Sequence, residues 1–133
     1  MTPAARLSAA IEILDAIAAQ RRPAADALKE WGLAHRFAGS GDRAAIAALV
    51  YDSLRVKASS AFIMGAETGR ALVLGMLKRA RHFTRDGIAA LCSGERFAPQ
   101  PLSAEESAAL DEDALANAPA HVLGDYPAWL DPL

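Results

Sequence analysis

A chain of 133 residues is long enough for one folded domain with one core. A domain of this size buries roughly two thirds of the surface that its unfolded chain exposes. Apolar residues make up 53% of the sequence and aromatic residues only 6%, with alanine the dominant type. Alanine loses no side-chain entropy in a helix and lets helix axes approach closely, so the composition favours packed helices over sheets. The net charge of −2 hides a division: residues 1–96 carry all 14 Lys and Arg, whereas 97–133 carry none and seven of the 16 acids. The single cysteine excludes an internal disulfide and fits a reducing compartment. No basic segment leads into an apolar signal region, and the longest apolar stretch, 71–77, is far short of the ~20 residues of a membrane span. The expectation is a cytoplasmic protein with no membrane partner.

In chain order, Thr2 is an N-cap candidate and Pro3 suits a first helical position. Leu7, Ile11, Leu14 and Ile17 then recur at helical spacing and predict a first helix to about Gln20. Arg21-Arg22-Pro23 breaks it. Pro23 opens a second helix with Ala27, Leu28 and Trp31 inward, closed by Arg36 and the Gly39-Ser40-Gly41 break. Ser40 or Asp42 is expected to cap a long third helix running to about Met64, where Gly65 stops it. Thr68 caps a fourth helix whose residues 71–77 are apolar all round, the mark of a helix buried in the core. Thr84 caps a short fifth helix with Ile88 and Leu91 inward. Pro99-Gln100-Pro101 is an extended connector, and Ser103 with Glu106 forms a capping box for a sixth helix. The prolines after Ala118 permit only short turns. The expected architecture is an all-α bundle of six to seven helices around the buried fourth, with 1–98 as core and 99–133 as an acidic segment completing it.

Catalytic chemistry has little to stand on in this sequence. His35, His82, His121 and Cys92 lack metal-ligand spacing, and Cys92 reads as a small buried hydrophobe. Gly39-Ser40-Gly41 lacks the strand and lysine of a phosphate loop. Glu105-Glu106 and Asp111-Glu112-Asp113 have no apolar wall to shift their titration and read as a solvated face. The basic residues remain. Arg21, Arg22, Arg36, Arg43, Arg55, Lys57, Lys78, Arg79 and Arg81 are candidates for phosphate contacts that position RNA without reading its sequence. Helix-end cations also complement the macrodipole, which alone accounts for Lys78, Arg79 and Arg81, and Asp42–Arg43 and Asp52–Arg55 are candidate local pairs.

Two segments carry a resemblance. Asp42-Arg43-Ala44, Leu49-Val50-Tyr51 and Leu54-Arg55 match the D-R-A-x-x-x-x-L-V-Y-x-x-L-R pattern of the NusB-like domain in RsmB/Sun-type RNA cytosine methyltransferases. Tyr126-Pro-Ala-Trp-Leu130 resembles the P-x-W-L element that lies between that domain and the catalytic part. The resemblance implies a NusB fold and a role in seating ribosomal RNA for an enzyme that methylates C5 of a cytosine with S-adenosylmethionine. The cysteines of that chemistry stand in Pro-Cys and Thr-Cys contexts. Cys92 stands between Leu91 and Ser93, so no catalytic cysteine and no cofactor site carries over. The chain stops about where the catalytic part would begin, and the expected partners are ribosomal RNA and that catalytic domain.

Within the matched segment Leu49, Val50 and Leu54 are expected in the core, Asp42 as a cap or ion-pair partner, and Arg55 with Lys57 against RNA. Trp129 is expected to pack into the interdomain joint. A free-standing NusB-type antitermination factor, binding RNA and a ribosomal protein, is the alternative, and a purely structural dimerisation module is a third. The buried helix supplies the first test. Leu74→Asp should abolish cooperative unfolding in a thermal melt, since an unpaired buried charge costs several kcal/mol, about the whole stability of a small domain. An unchanged melting temperature would refute its burial.

Overall fold

The computed structural model describes residues 1–131 and is all-helical. Among these residues eight α-helices follow one another: α1 (Pro3–Gln20), α2 (Ala24–Ala34), α3 (Ser40–Arg55), α4 (Lys57–Met64), α5 (Gly69–Arg79), α6 (Arg85–Leu91), α7 (Ala104–Asp111) and α8 (Ala120–Leu123). Single 3₁₀ turns lie at Ala114–Asn117 and Ala128–Leu130. The expected long third helix is two helices, so the apolar helix anticipated as the fourth is α5. The break falls at Val56, whose backbone (φ −113°, ψ 32°) leaves the helical region while its N–H still bonds to Asp52 O. Two caps also differ. Gly39, not Ser40 or Asp42, stands at the N-cap of α3 and supplies no side-chain bond, and α2 ends at Ala34 with His35 as C-cap, before Arg36.

The other local signals act as the sequence implies. Thr2, Thr68 and Thr84 each accept a bond from the backbone N–H three residues on, at 3.0–3.1 Å. Ser103 and Glu106 close a reciprocal capping box. α1 ends on Arg21 in the left-handed region and α4 on Gly65, also left-handed, where a glycine carries no Cβ penalty.

α5 forms the centre. Every residue from 71 to 77 is buried, and α1, α3, α4 and α6 all pack on it. Four neighbours around a slender helix require small side chains at the closest crossing. A Cβ on Gly75 would lie 2.5 Å from Ser60 Cβ and 2.6 Å from its Cα, so α4 and α5 touch backbone to backbone there. Gly69 is equally constrained, with Ile11 O only 2.5 Å from where its Cβ would be. α4 and α5 thus make a tight hairpin through residues 65–68.

Burying the first turn of a helix leaves N–H groups that need acceptors. Here distant carboxylates supply them. Asp15 of α1 accepts from Gly69 N–H at 2.7 Å, at the start of α5. Asp125 accepts from Ser59 N–H at 2.7 Å and from Ser59 Oγ at 2.8 Å, which caps α4 in place of Val56, whose side chain cannot. Asp125 itself sits at φ 53°, a left-handed conformation that aspartate tolerates better than most residues.

The acidic segment wraps the basic core rather than trailing from it. Arg70 of α5 makes a bidentate pair with Glu106, at 2.8 and 2.9 Å, and donates to the carbonyls of Gln100 and Pro101 in the connector. Arg85 pairs with Asp111. Leu110 and Val122 of the segment are themselves buried. The hydrogen-bonded Arg70 guanidinium, opposed in part by burial and helped by Ser103, holds the Glu106 carboxyl below the usual carboxylate range. A carboxylate with a depressed folded pKa stabilises the fold above its unfolded pKa and loses that contribution as pH falls through the folded value. The stability gap between wild type and Glu106→Gln, measured by urea unfolding, should therefore be full at neutral pH and close below about pH 4. A gap independent of pH would mean that the ion pair does not latch the segment.

Candidate RNA-contact surface

The Asp42-Arg43 pair opens α3, and its two side chains go opposite ways. Asp42 takes a two-pronged bond from Arg6 of α1, at 2.9 and 2.8 Å, with the N-terminal ammonium at 3.5 Å. Its carboxyl is held below the usual range, chiefly by the Arg6 hydrogen bond. Arg43 instead turns to α2 and donates to the carbonyls of Ala38 (2.8 Å), Gly32 (3.0 Å) and His35 (3.3 Å). Gly32 O and His35 O, at the end of α2, also accept backbone N–H bonds from His35 and Ala38, and there a cation meets the favourable end of the dipole. Asp42 and Arg43 clamp α1 and α2 onto the start of α3. They do not pair with each other.

Farther along α3, Leu49, Val50 and Ser53 are buried, Leu54 is half-buried and Tyr51 is exposed. Asp52 gathers two guanidiniums: Arg55 at 2.9 Å and Arg81 at 3.0 Å. Arg55 keeps 72% of its side chain exposed. Lys57, exposed, begins α4. Because Ser60 faces Gly75 in an antiparallel hairpin, Lys57 lies level with the end of α5. Lys78 donates to Glu112 O at the end of α7, and Arg79 to Leu123 O (3.0 Å) at the end of α8. The cations that the macrodipole explained through their own helix thus act on the C-termini of two others as well. This edge, at the open end of the hairpin, collects Arg55, Lys57, Lys78, Arg79 and Arg81.

The remaining candidates sit elsewhere. Arg21, exposed, and Arg22 lie at the turn between α1 and α2, where Arg22 pairs with Glu30. Arg36 is exposed just past α2.

Beside Arg36 the structure holds a feature that spacing alone did not announce. A groove of about 690 Å³ runs between the first turns of α1, the end of α2 and the loop before α7. Its walls are aromatic. Trp31 and His35 stack with ring centroids 4.2 Å apart, Phe37 stands edge-on to His35 at 5.9 Å, and across the groove the Arg96 guanidinium covers the Phe97 ring at 4.8 Å. Phe37 and Phe97 are 75% and 67% exposed. His35 Nδ1 contacts Trp31 O at 2.8 Å, and a carbonyl only accepts, so Nδ1 carries a proton. Phe97 is held at φ 69°, which costs a non-glycine residue about 1–2 kcal/mol. Bonds from Gly94 N–H to Pro99 O and from Ala98 N–H to Glu95 O close the loop that displays it. A few exposed aromatics at irregular spacing, on two elements sixty residues apart, give no periodic signal. Only their being exposed marks them out.

At the far end, the resemblance element is folded into a hook. Asp131 accepts from Tyr126 Oη at 2.7 Å and contacts His121 Nδ1 at 2.5 Å. Between these ties Trp129 stands out 80% exposed.

Cys92 is buried, and burial pushes its thiol up, away from the reactive thiolate. Among the described residues no group of three His, Cys, Asp or Glu side chains could hold a metal ion, and no helix is long and apolar enough to cross a membrane. No family model, curated protein or solved structure matches the chain. The clamp yields a test of its own. Arg43→Ala should lower stability by about 1–3 kcal/mol through the loss of its charge-assisted bonds to three carbonyls, read as a drop in melting temperature, and leave the salt dependence of RNA binding unchanged. A flattened salt slope at unchanged stability would place Arg43 on phosphate instead.

Proposed function

We propose that the chain is the RNA-docking domain of an S-adenosylmethionine-dependent methyltransferase that modifies C5 of a cytosine in small-subunit ribosomal RNA. In this reading the chain seats the RNA, and a catalytic domain outside it supplies the cofactor site and the nucleophilic cysteine. The observation that carries the reading is the cationic edge at the open end of the α4–α5 hairpin. There Asp52 is shared between Arg55 and Arg81, and Lys57 adds a further exposed cation. Exposed cations of this kind bind phosphates by releasing condensed counterions, a mode that requires no base reading.

The match at 42–55 supports the same reading, since its charged residues divide into two jobs. Asp42 and Arg43 build the fold that orients α3, and Arg55 ends α3 at the cationic edge. The hook at 126–131 supports it as well. A tryptophan left 80% exposed by a rigid turn is the kind of apolar anchor that a following domain would cover.

Binding to a small-subunit ribosomal RNA fragment should weaken steeply between 50 and 200 mM salt. Replacing Arg55 and Lys57 together by Ala should flatten the log–log salt slope by about 0.9 for each phosphate no longer neutralised, without moving the melting temperature. Unchanged affinity, or a salt-independent interaction, would remove phosphate-led docking and with it this function.

A further inference from the structure

The aromatic groove is separate from the cationic edge and has no part in the docking just described. Its volume of about 690 Å³ falls in the range of roughly 300–1,000 Å³ usual for small-ligand sites. Small α1 side chains, Ala5, Ser8 and Ala9, share its lining with Phe37 and Phe97, so it forms a slot with two exposed aromatic rings in its walls. Flat aromatic walls with exposed faces select a flat ligand.

The charges narrow the choice. Arg36 and Arg96 flank the two phenylalanines and are exposed; the Arg96 guanidinium rests on the Phe97 ring. Aromatic faces interleaved with guanidiniums are the arrangement that binds single-stranded nucleic acid, with bases on the rings and phosphates on the cations. Inside the groove the Glu12 carboxylate is a group that can only accept, beside the Thr2 and Ser8 hydroxyls and the His35 imidazole. A carboxylate favours a base that presents an exocyclic amine, since it accepts from cytosine N4 and not from the carbonyl edge of uracil.

We infer that this groove takes an unpaired, amine-bearing base of single-stranded RNA, stacked between Phe37 and Phe97 with its backbone phosphates on Arg36 and Arg96. The inference rests on the RNA-docking reading and adds to it a second contact, one that grips a splayed-out base where the hairpin edge grips phosphates. The strained Phe97 backbone keeps the ring raised before any ligand arrives, so the slot is already formed.

Trp31 lines the groove and Trp129 is the other tryptophan of the chain. In a Trp129→Phe background Trp31 fluorescence therefore reports the groove alone. Short oligocytidylate should quench it, oligouridylate should quench it more weakly, and Glu12→Gln should erase that difference. Phe37→Ala with Phe97→Ala should cost about tenfold in oligocytidylate affinity per ring removed and leave binding of a fully paired RNA hairpin unaltered. Both rings are largely exposed, so the melting temperature should hold. Equal oligocytidylate affinity in the double variant overturns the inference while leaving the hairpin-edge function standing. Failure of wild type to bind either RNA overturns both. Quenching by a Leu-rich amphipathic peptide and not by oligocytidylate overturns it in favour of a protein ligand.

Discussion

Residues 71–77 of α5 are enclosed by four helices and present no face to water. That enclosure has two physical requirements, and much of the remaining structure meets one or the other. Side chains at the nearest crossing must be small, which Gly75 and Ser60 provide. Backbone groups at the ends of the central hairpin must find partners within the protein, because water does not reach them. Thr68 satisfies one such group locally and Asp15 another from α1; Asp125 serves α4 from the other end of the sequence. The Asp125 bonds, with the Arg70–Glu106 pair, tie the C-terminal segment to the core.

Several charged residues cap helices other than their own. Carboxylates go to the N-termini of helices to which they do not belong, and cations go to foreign C-termini: Arg43 to α2, Lys78 to α7 and Arg79 to α8. Each of these bonds gives a backbone group near a helix end a charged partner at the end of the dipole that favours it. The opposite charges of the two halves of the sequence are thereby matched inside the fold, with Arg70–Glu106 and Arg85–Asp111 adding direct ion pairs. The basic surface proposed for RNA is what remains after this matching, and it is smaller than the inventory of Lys and Arg suggests.

Two surfaces survive. The open end of the α4–α5 hairpin offers exposed cations and no flat apolar wall; the groove between α1, α2 and the 94–98 loop offers flat aromatic walls with the Arg96 guanidinium on the Phe97 ring. They divide the proposed work along the line that separates positioning from base recognition in nucleic-acid binding. Asp42 and Arg43 stand between them, holding α1 and α2, and so the groove they form, to the helix that ends at the cationic edge.

By itself the sequence determined the local elements. Threonine caps, the Ser103–Glu106 box, the Gly65 stop and the all-round apolarity of 71–77 are short-range signals, each decided within a few residues, and they specify an all-α bundle with α5 inside. Three matters were decided only by tertiary structure. The break at Val56 depends on Asp125, 66 residues away from Ser59, because a helix start there has no capping side chain of its own. The partners of Arg43, Lys78 and Arg79 depend on which helix ends the fold brings near, and a long flexible cation carries no trace of its acceptor in its neighbours. The aromatic groove depends on Phe37 and Phe97 staying exposed while Trp31 is buried, a difference of burial that three similar side chains in a one-dimensional pattern do not express.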